Sequence, residues 1–307
     1  MKPVIFYHAN CTDGFGAAFA AWKVFGDDAE YVPVSYGQIK TADDVDLLGN
    51  IKDHHVFILD FSFPRPVMEY IFATAIHTTW LDHHKTAFEM WTPEEPFKDD
   101  SFYNITTQKH RIVLDNSRSG ALIAWDFFHG GTVIPKLVLH IDDYDRWQFK
   151  NHNTKAFSRA LRALKPWTFE QWNSEFLWVE HSERYQDVLM IGNILLDDHK
   201  GRVESAAKHA AQCTLTHTNY METVHFAGLS VNASPDLSSD LGHELANKSS
   251  TFGLVYHIGQ DRQVKCSLRS NGDYDVSAIA KRFGGGGHKN AAGFECTLAQ
   301  LAGIIGA

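Results

Sequence analysis

Residues 3–26 read PVIFYHANCTDGFGAAFAAWKVFG. The first five are an apolar run of strand length. A polar loop, HANCTDG, follows at 8–14, and the remainder is rich in small and apolar residues up to Gly26, which supplies a stop. Strand, tight loop and helix are the opening of a parallel α/β unit. The pattern continues along the chain. Residues 56–59 (VFIL) form a second apolar run ending at Asp60, residues 66–76 carry helical spacing, and residues 78–81 form a third run ending at Asp82. Residues 119–129 (SGALIAWDFFH) read as a helix. Residues 135–141 (PKLVLHI) read as a fourth apolar segment, leading into Asp142, Asp143 and Asp145.

The texture changes in the second half. From Glu183 to about Cys213 the residues are helix formers, with Gly192 and Gly201 as weak points. Strands are expected over 222–232, 252–259 and 262–269, and helices over 237–247 and 275–282. A glycine loop, Gly284–Gly287, precedes HKNAAGFE. The expected architecture is therefore α/β. An N-terminal parallel-sheet domain spans 1–182, a helical connector 183–221, and a smaller α+β domain 222–307.

Composition narrows the function. Of 307 residues, 44% are hydrophobic and 21% charged, which excludes a disordered or collagen-like chain. No run approaches the roughly 20 apolar residues of a membrane span, and MKPVIFYHAN has no secretory apolar core. Lys and Arg number 28 against 37 Asp and Glu, giving −9, which argues against a broad basic surface for duplex DNA. The four cysteines, Cys11, Cys213, Cys266 and Cys296, are scattered, with no CxxC pair. A reducing, cytoplasmic location is expected, and any metal chemistry must draw on the 18 histidines and the carboxylates.

Chemistry-bearing residues follow each apolar run of the first half: His8 and Asp13, then Asp60, then Asp82-His83-His84, then Asp142, Asp143 and Asp145. In an open parallel sheet the carboxyl ends of the strands line one crevice, where ligands bind. Carboxylates crowded there repel one another unless a cation neutralises them. An Asp/His donor set suits Mn²⁺, Mg²⁺ or Fe²⁺. Trp147, Trp167, Trp172 and Trp178 could stack a nucleobase, although Phe149, Phe157, Phe169 and Phe176 among them equally suit a core.

The order His8…Asp13, Asp60, Asp82-His83-His84, Asp143, then Arg269-Ser270 and GGGGH at 284–288, resembles the DHH–DHHA1 phosphoesterases. That family includes nanoRNases, oligonucleotide phosphodiesterases and exopolyphosphatases. Residues 267–293, SLRSNGDYDVSAIAKRFGGGGHKNAAG, resemble the family's substrate-binding domain. The resemblance implies a DHH catalytic domain, a DHHA1 domain and an active-site cleft between them. It also implies two divalent cations, usually Mn²⁺, with Mg²⁺ or another divalent ion as the alternative. Asp60 would bridge the two, His8 would ligate the first, and Asp13, His83 and Asp143 the second. Asp60, Asp82, His83 and His84 would form the catalytic set, with Asp82 orienting the histidines and His84 meeting the scissile phosphate. Arg269, Ser270, Gly286, Gly287 and His288 would hold substrate through charge-assisted and backbone donors.

One position departs from the family pattern. Where the phosphodiesterase-type members carry an aspartate two residues before Asp13, this chain has Cys11. The first cation position is expected to be weakened, with Cys11 either a ligand or inert. The leading expectation is hydrolysis of a short single-stranded oligonucleotide or a small nucleotide phosphodiester, with no membrane or duplex partner. A homodimer is compatible with this reading. The alternatives are an exopolyphosphatase, an adenosine-bisphosphate phosphatase, or a nucleotide-binding sensor that has lost turnover.

Overall fold

The computed structural model describes residues 2–94, 97–98, 100–175, 183–260 and 262–306. The chain divides into two units, Met1–Leu196 and Asp197–Ala307.

The first unit opens with β1 (Val4–His8), α1 (Thr12–Phe25), β2 (Glu30–Val34), β3 (His55–Leu59), α2 (Arg65–Thr74), β4 (His77–Asp82) and α3 (Lys85–Trp91). It continues with β5 (Phe102–Thr106), β6 (His110–Asp115), α4 (Gly120–His129), α5 (Lys136–Asp145), α6 (Thr154–Ala163) and α7 (Phe169–Glu175). The helix α8 (Glu183–Ala207) crosses the division. The six strands form one sheet in the order β2-β1-β3-β4-β6-β5, parallel except for β5.

Alternation along the strands buries both faces, as helix-covered parallel sheets require. Ile5, Phe57, Leu59, Leu81 and Val113 face one core with α1, α4 and α5. Val4, Phe6, Val56, Ile58, Trp80, Ile112 and Leu114 face the other with α2 and α3. Chain direction reverses between β1 and β3: β1 leads outward to β2, and the chain then crosses to β3 on the other side. This is the topological switch point, and the crevice beyond the carboxyl ends of β1 and β3 is where such folds bind ligands.

Two readings of the first unit are corrected. Residues 136–145 form a helix, not a strand. Leu137, Val138, Ile141 and Tyr144 are buried at helical spacing, so Asp142, Asp143 and Asp145 stand on its last turns. The helix α1 also begins earlier than the glycines suggest, which places Asp13 in its first turn. Trp172 is fully buried and belongs to the core, with Trp167 packed against it. Phe176 and Trp178 lie outside the described residues.

The second unit carries β7 (Ala211–Thr218), β8 (Thr223–Asn232), α9 (Ser238–Ser249), β9 (Phe252–Ile258), β10 (Gln263–Ser270), α10 (Val276–Arg282), β11 (Gly286–His288), β12 (Ala291–Thr297), α11 (Leu298–Ile304) and β13 (Ile305–Gly306). Its seven-stranded sheet runs β11-β12-β10-β9-β8-β7-β13, with β8 and β9 parallel and joined through α9. Phe252, Leu254, Cys266, Leu268, Val276, Ile279 and Phe294 fill its core. The stretch after α8 is a strand of this sheet: β7 pairs along its length with β8. The glycine run is only partly a loop, because Gly286, Gly287 and His288 pair with β12. Gly287 has φ +138°, and a Cβ there would meet the Ala291 carbonyl and Ala292, so glycine alone fits.

Candidate metal centre

The centre is assembled at the switch point. Asp60 directly follows β3 and adopts a left-handed backbone, φ +54°, held by its N–H donating to the Leu81 carbonyl at 2.9 Å. Such a conformation in a non-glycine residue costs of order 1–3 kcal/mol and persists where the surroundings enforce it. The turn drives the Asp60 carboxylate, 1% exposed, into the space between β1, β4 and α4. Gly120 opens α4 there: a Cβ on it would lie 2.5 Å from Asp60 Cβ.

His83 follows β4 and aims one nitrogen at three carboxylates. Its Nε2 lies 3.1 Å from Asp60 Oδ1, 3.4 Å from Asp13 Oδ2 and 3.6 Å from Asp145 Oδ2. His8, at the end of β1, places Nδ1 3.6 Å from Asp60 Oδ2. Asp13 is pinned by two amides at the start of α4, Gly120 N–H to Oδ2 and Ala121 N–H to Oδ1, both at 2.7 Å. Asp82 is fully buried. Its Oδ1 accepts from the His83 and His84 amides at 2.7 and 3.1 Å and from His84 Nδ1 at 2.7 Å. Asn116 Nδ2 donates to the His83 carbonyl at 2.9 Å and fixes that turn from the side.

The donor set fits divalent cations. Neither oxygen of Asp60 accepts a hydrogen bond, although both are buried, and His8 Nδ1 has no partner either. Buried polar atoms are nearly always paired. Ligand atoms of Asp13, Asp60 and His83 all lie within 4.8 Å of one another, and the same holds for His8, Cys11 and Asp60. Asp60 thus belongs to both groups, and to a third with Asp82 and His84.

Electrostatics agrees. Burial opposes charge on His8, but Asp60 and Cys11 beside it raise its pKa to about 11. Burial likewise opposes charge on His83, yet Asp60, Asp145 and Asp13 hold it well above the imidazole range. Burial and the charges of Asp60 and Asp145 push Asp13 upward. Burial opposes ionisation of Asp60 too, and His8 and His83 more than offset it, holding this carboxylate far below its ordinary range. The positive charge these carboxylates require is one that divalent cations can supply.

Asp143 is not among these groups. Its carboxylate accepts from the amides of Lys150 and Asn151 and from Thr154 Oγ1, at 2.8, 3.1 and 2.6 Å, and so caps the turn after α5. Asp145, two residues on and about 200° around the helix, faces His83 instead. Asp142 accepts from the Ser119 amide at 2.7 Å and braces the entry to α4. Reading 136–145 with helical period would have separated Asp143 from Asp145. Tyr36, which no motif marked, lies beside the centre. Its ring is 5.2 Å from that of His8, 4.5 Å from Phe61 and 6.1 Å from His84, and the residue remains 51% exposed.

In the second unit, Arg269 donates to the Leu268 carbonyl and, at 3.1 Å, to Ser239 Oγ. Ser270 is fully buried, and its hydroxyl donates to the Tyr274 carbonyl at 2.6 Å, which makes it a brace of the following turn. Gly286, Gly287 and His288 lie on the edge strand β11.

Residues 222–305 match the DHHA1 domain. The chain is 29% identical over 303 residues to uncharacterized protein R106 of Acanthamoeba polyphaga mimivirus, covering 94% of this chain and 66% of that protein. It is 25% identical over 308 residues to oligoribonuclease NrnB of Bacillus subtilis (strain 168), covering 95% and 72%. The chain thus spans about two thirds of the length of these relatives. Among solved structures, a pGpG-specific phosphodiesterase from Vibrio cholerae aligns over 99% of this chain and 96% of its own, at TM-score 0.43 and 12% identity. In this chain a parallel α/β unit with an Asp/His centre at its switch point is followed by a DHHA1 domain. The DHHA1 match and the similarity to oligoribonuclease NrnB over 95% of this chain support the DHH–DHHA1 phosphoesterase family.

Proposed function

We propose that the protein is a divalent-cation-dependent phosphodiesterase acting on short single-stranded oligonucleotides or small nucleotide phosphodiesters. The observation that carries this reading is Asp60, buried, faced by His8 and His83 with no hydrogen bond to either of its oxygens, and shared between the His8–Cys11 and Asp13–His83 donor groups. When bound, two divalent cations, with Mn²⁺ as the first choice, would acidify water and neutralise charge developing on phosphoryl oxygens. His8 and Asp60 would hold one cation. Asp13, Asp60, His83 and Asp145 would hold the other, with Asp145 in the place first given to Asp143.

The remaining groups act around that pair. The α4 amides fix Asp13 in one orientation. Asp82 accepts from His84 Nδ1–H, which leaves Nε2 for the substrate; in the imidazolium form Nε2 would donate to a phosphoryl oxygen. Arg269, Gly286, Gly287 and His288 are proposed as phosphate donors of the DHHA1 domain. Tyr36 offers an aromatic surface beside the centre, which favours a substrate bearing a base over inorganic polyphosphate. The name of the Bacillus relative, an oligoribonuclease, supports the same class.

The test is a hydrolysis panel in Mn²⁺ with di- to tetranucleotides, cyclic dinucleotides, polyphosphate and adenosine bisphosphate side by side. Preferential turnover of the linear dinucleotide supports the proposal. Preference for polyphosphate or the bisphosphate would replace it with the corresponding phosphatase. Tight dinucleotide binding without turnover would make the protein a sensor.

A further inference from the structure

Cys11 brings a different donor to the centre. It occupies the N-cap of α1 with extended backbone, φ −108° and ψ 139°. Residues at this position usually turn a side-chain oxygen back onto the helix amides. Cys11 makes no side-chain cap bond. Its sulfur instead lies within 4.8 Å of a ring nitrogen of His8 and a carboxylate oxygen of Asp60. The second observation is independent of the cysteine: Asp60 is 1% exposed, and neither of its oxygens has a hydrogen-bond partner. Nitrogen, sulfur and oxygen donors thus surround one point.

We infer that Cys11 is a thiolate ligand, so that the two cation positions differ in chemistry. This inference rests on the two-cation reading above. The position formed by His8, Cys11 and Asp60 is a nitrogen–sulfur–oxygen site. The position formed by Asp13, Asp60, His83 and Asp145 is rich in carboxylates. Thiolate and imidazole suit Zn²⁺, Co²⁺ and Fe²⁺, whereas carboxylates suit Mn²⁺ and Mg²⁺. Binding at the first position releases the thiol proton to solvent, and thiolate plus carboxylate then balance the charge of one divalent ion. The centre would be filled by two unlike cations.

Cobalt reads this without an activity assay. Chelator-stripped full-length protein is titrated with Co²⁺ and followed by near-ultraviolet absorption and by bound metal per chain. The expected result is a thiolate-to-cobalt charge-transfer band that saturates with a single cobalt. Cys11→Ser should lose the band. Cys11→Asp should bind without it and move the first position's preference toward Mn²⁺. The other cysteines are buried in the second unit's sheet and remain unchanged in these variants, so the difference assigns the band. If Cys11→Ser does not fold, protection of wild-type Cys11 from alkylation by Co²⁺ is the equivalent reading. Two cobalt ions bound with no band, or a band unchanged in Cys11→Ser, would overturn the inference and leave the two-cation reading standing. No cobalt bound at all would overturn both.

Discussion

The Gly120 N–H donates to Asp13 Oδ2 at 2.7 Å, and the same glycine lets α4 approach Asp60 more closely than any side chain would allow. One backbone position therefore sets two of the carboxylates. A methyl group here would sit 2.5–2.7 Å from Asp60 Cβ, Cγ and Oδ1. Gly120→Ala should cost about 1–3 kcal/mol of stability and weaken Mn²⁺ binding. Denaturant titration with and without Mn²⁺ checks both.

Asp143 and Asp145 should separate cleanly. Asp145→Asn removes a charge facing His83, and should lower cation affinity while changing the melting temperature little. Asp143→Ala strips the acceptor from two amides and a hydroxyl, and should cost about 2–4 kcal/mol. Thermal melts beside metal titrations of both variants decide the assignment. Equal loss of metal in Asp143→Ala with unchanged stability would reverse it.

His140 gives a pH signature away from the metal. It is buried on α5, with Nδ1 2.9 Å from Thr154 Oγ1 and Nε2 2.9 Å from Tyr185 OH. Thr154 donates to Asp143, so it accepts from Nδ1–H, and Nε2 accepts from the tyrosine: the ring is neutral. Burial depresses its pKa to about 4. A depressed folded pKa gives stability that is fully present above the unfolded value of 6.5 and lost as pH falls toward 4. The loss is up to about 3 kcal/mol. Urea unfolding of wild type and His140→Phe at pH 7 and pH 5 should show a steeper decline in wild type. Parallel declines would assign the acid sensitivity elsewhere.

Tyr36 should act on binding. Tyr36→Ala is expected to raise KM for a dinucleotide about tenfold or more, since a stacked base contributes about 1–3 kcal/mol. Tyr36→Phe should stay near wild type, and hydrolysis of a phosphodiester lacking bases should be unaffected in both. Equal losses on substrates with and without bases would reduce Tyr36 to a wall of the pocket.

Much of this was legible in the chain, for physical reasons that also mark where reading stopped. The runs ending at His8, Asp60 and Asp82 are strands buried over most of their length, so unbroken apolarity announced them and their polar termini together. The strand β2 was not seen because Pro33 interrupts it, and proline is tolerated there only because β2 is an edge strand. Residues 135–141 were read as an apolar run like the strands because seven residues of mixed apolarity do not distinguish strand from helix, and the choice of Asp143 over Asp145 was made without the helical period. Glycines 284–287 have no side chains to pattern, so the pairing of β11 was invisible. Tyr36 belongs to no motif: only folding brings its loop beside His8.

The central claim is that Asp60 holds the cations on which hydrolysis depends, and one measurement addresses it most directly. Wild type and Asp60→Asn, which preserves shape while removing charge, are compared by calorimetric Mn²⁺ titration with dinucleotide turnover on the same samples. The account predicts that wild type binds Mn²⁺ and turns over only when loaded, whereas Asp60→Asn stays folded, binds little Mn²⁺ and is inactive. Undiminished Mn²⁺ binding and turnover in Asp60→Asn would contradict it.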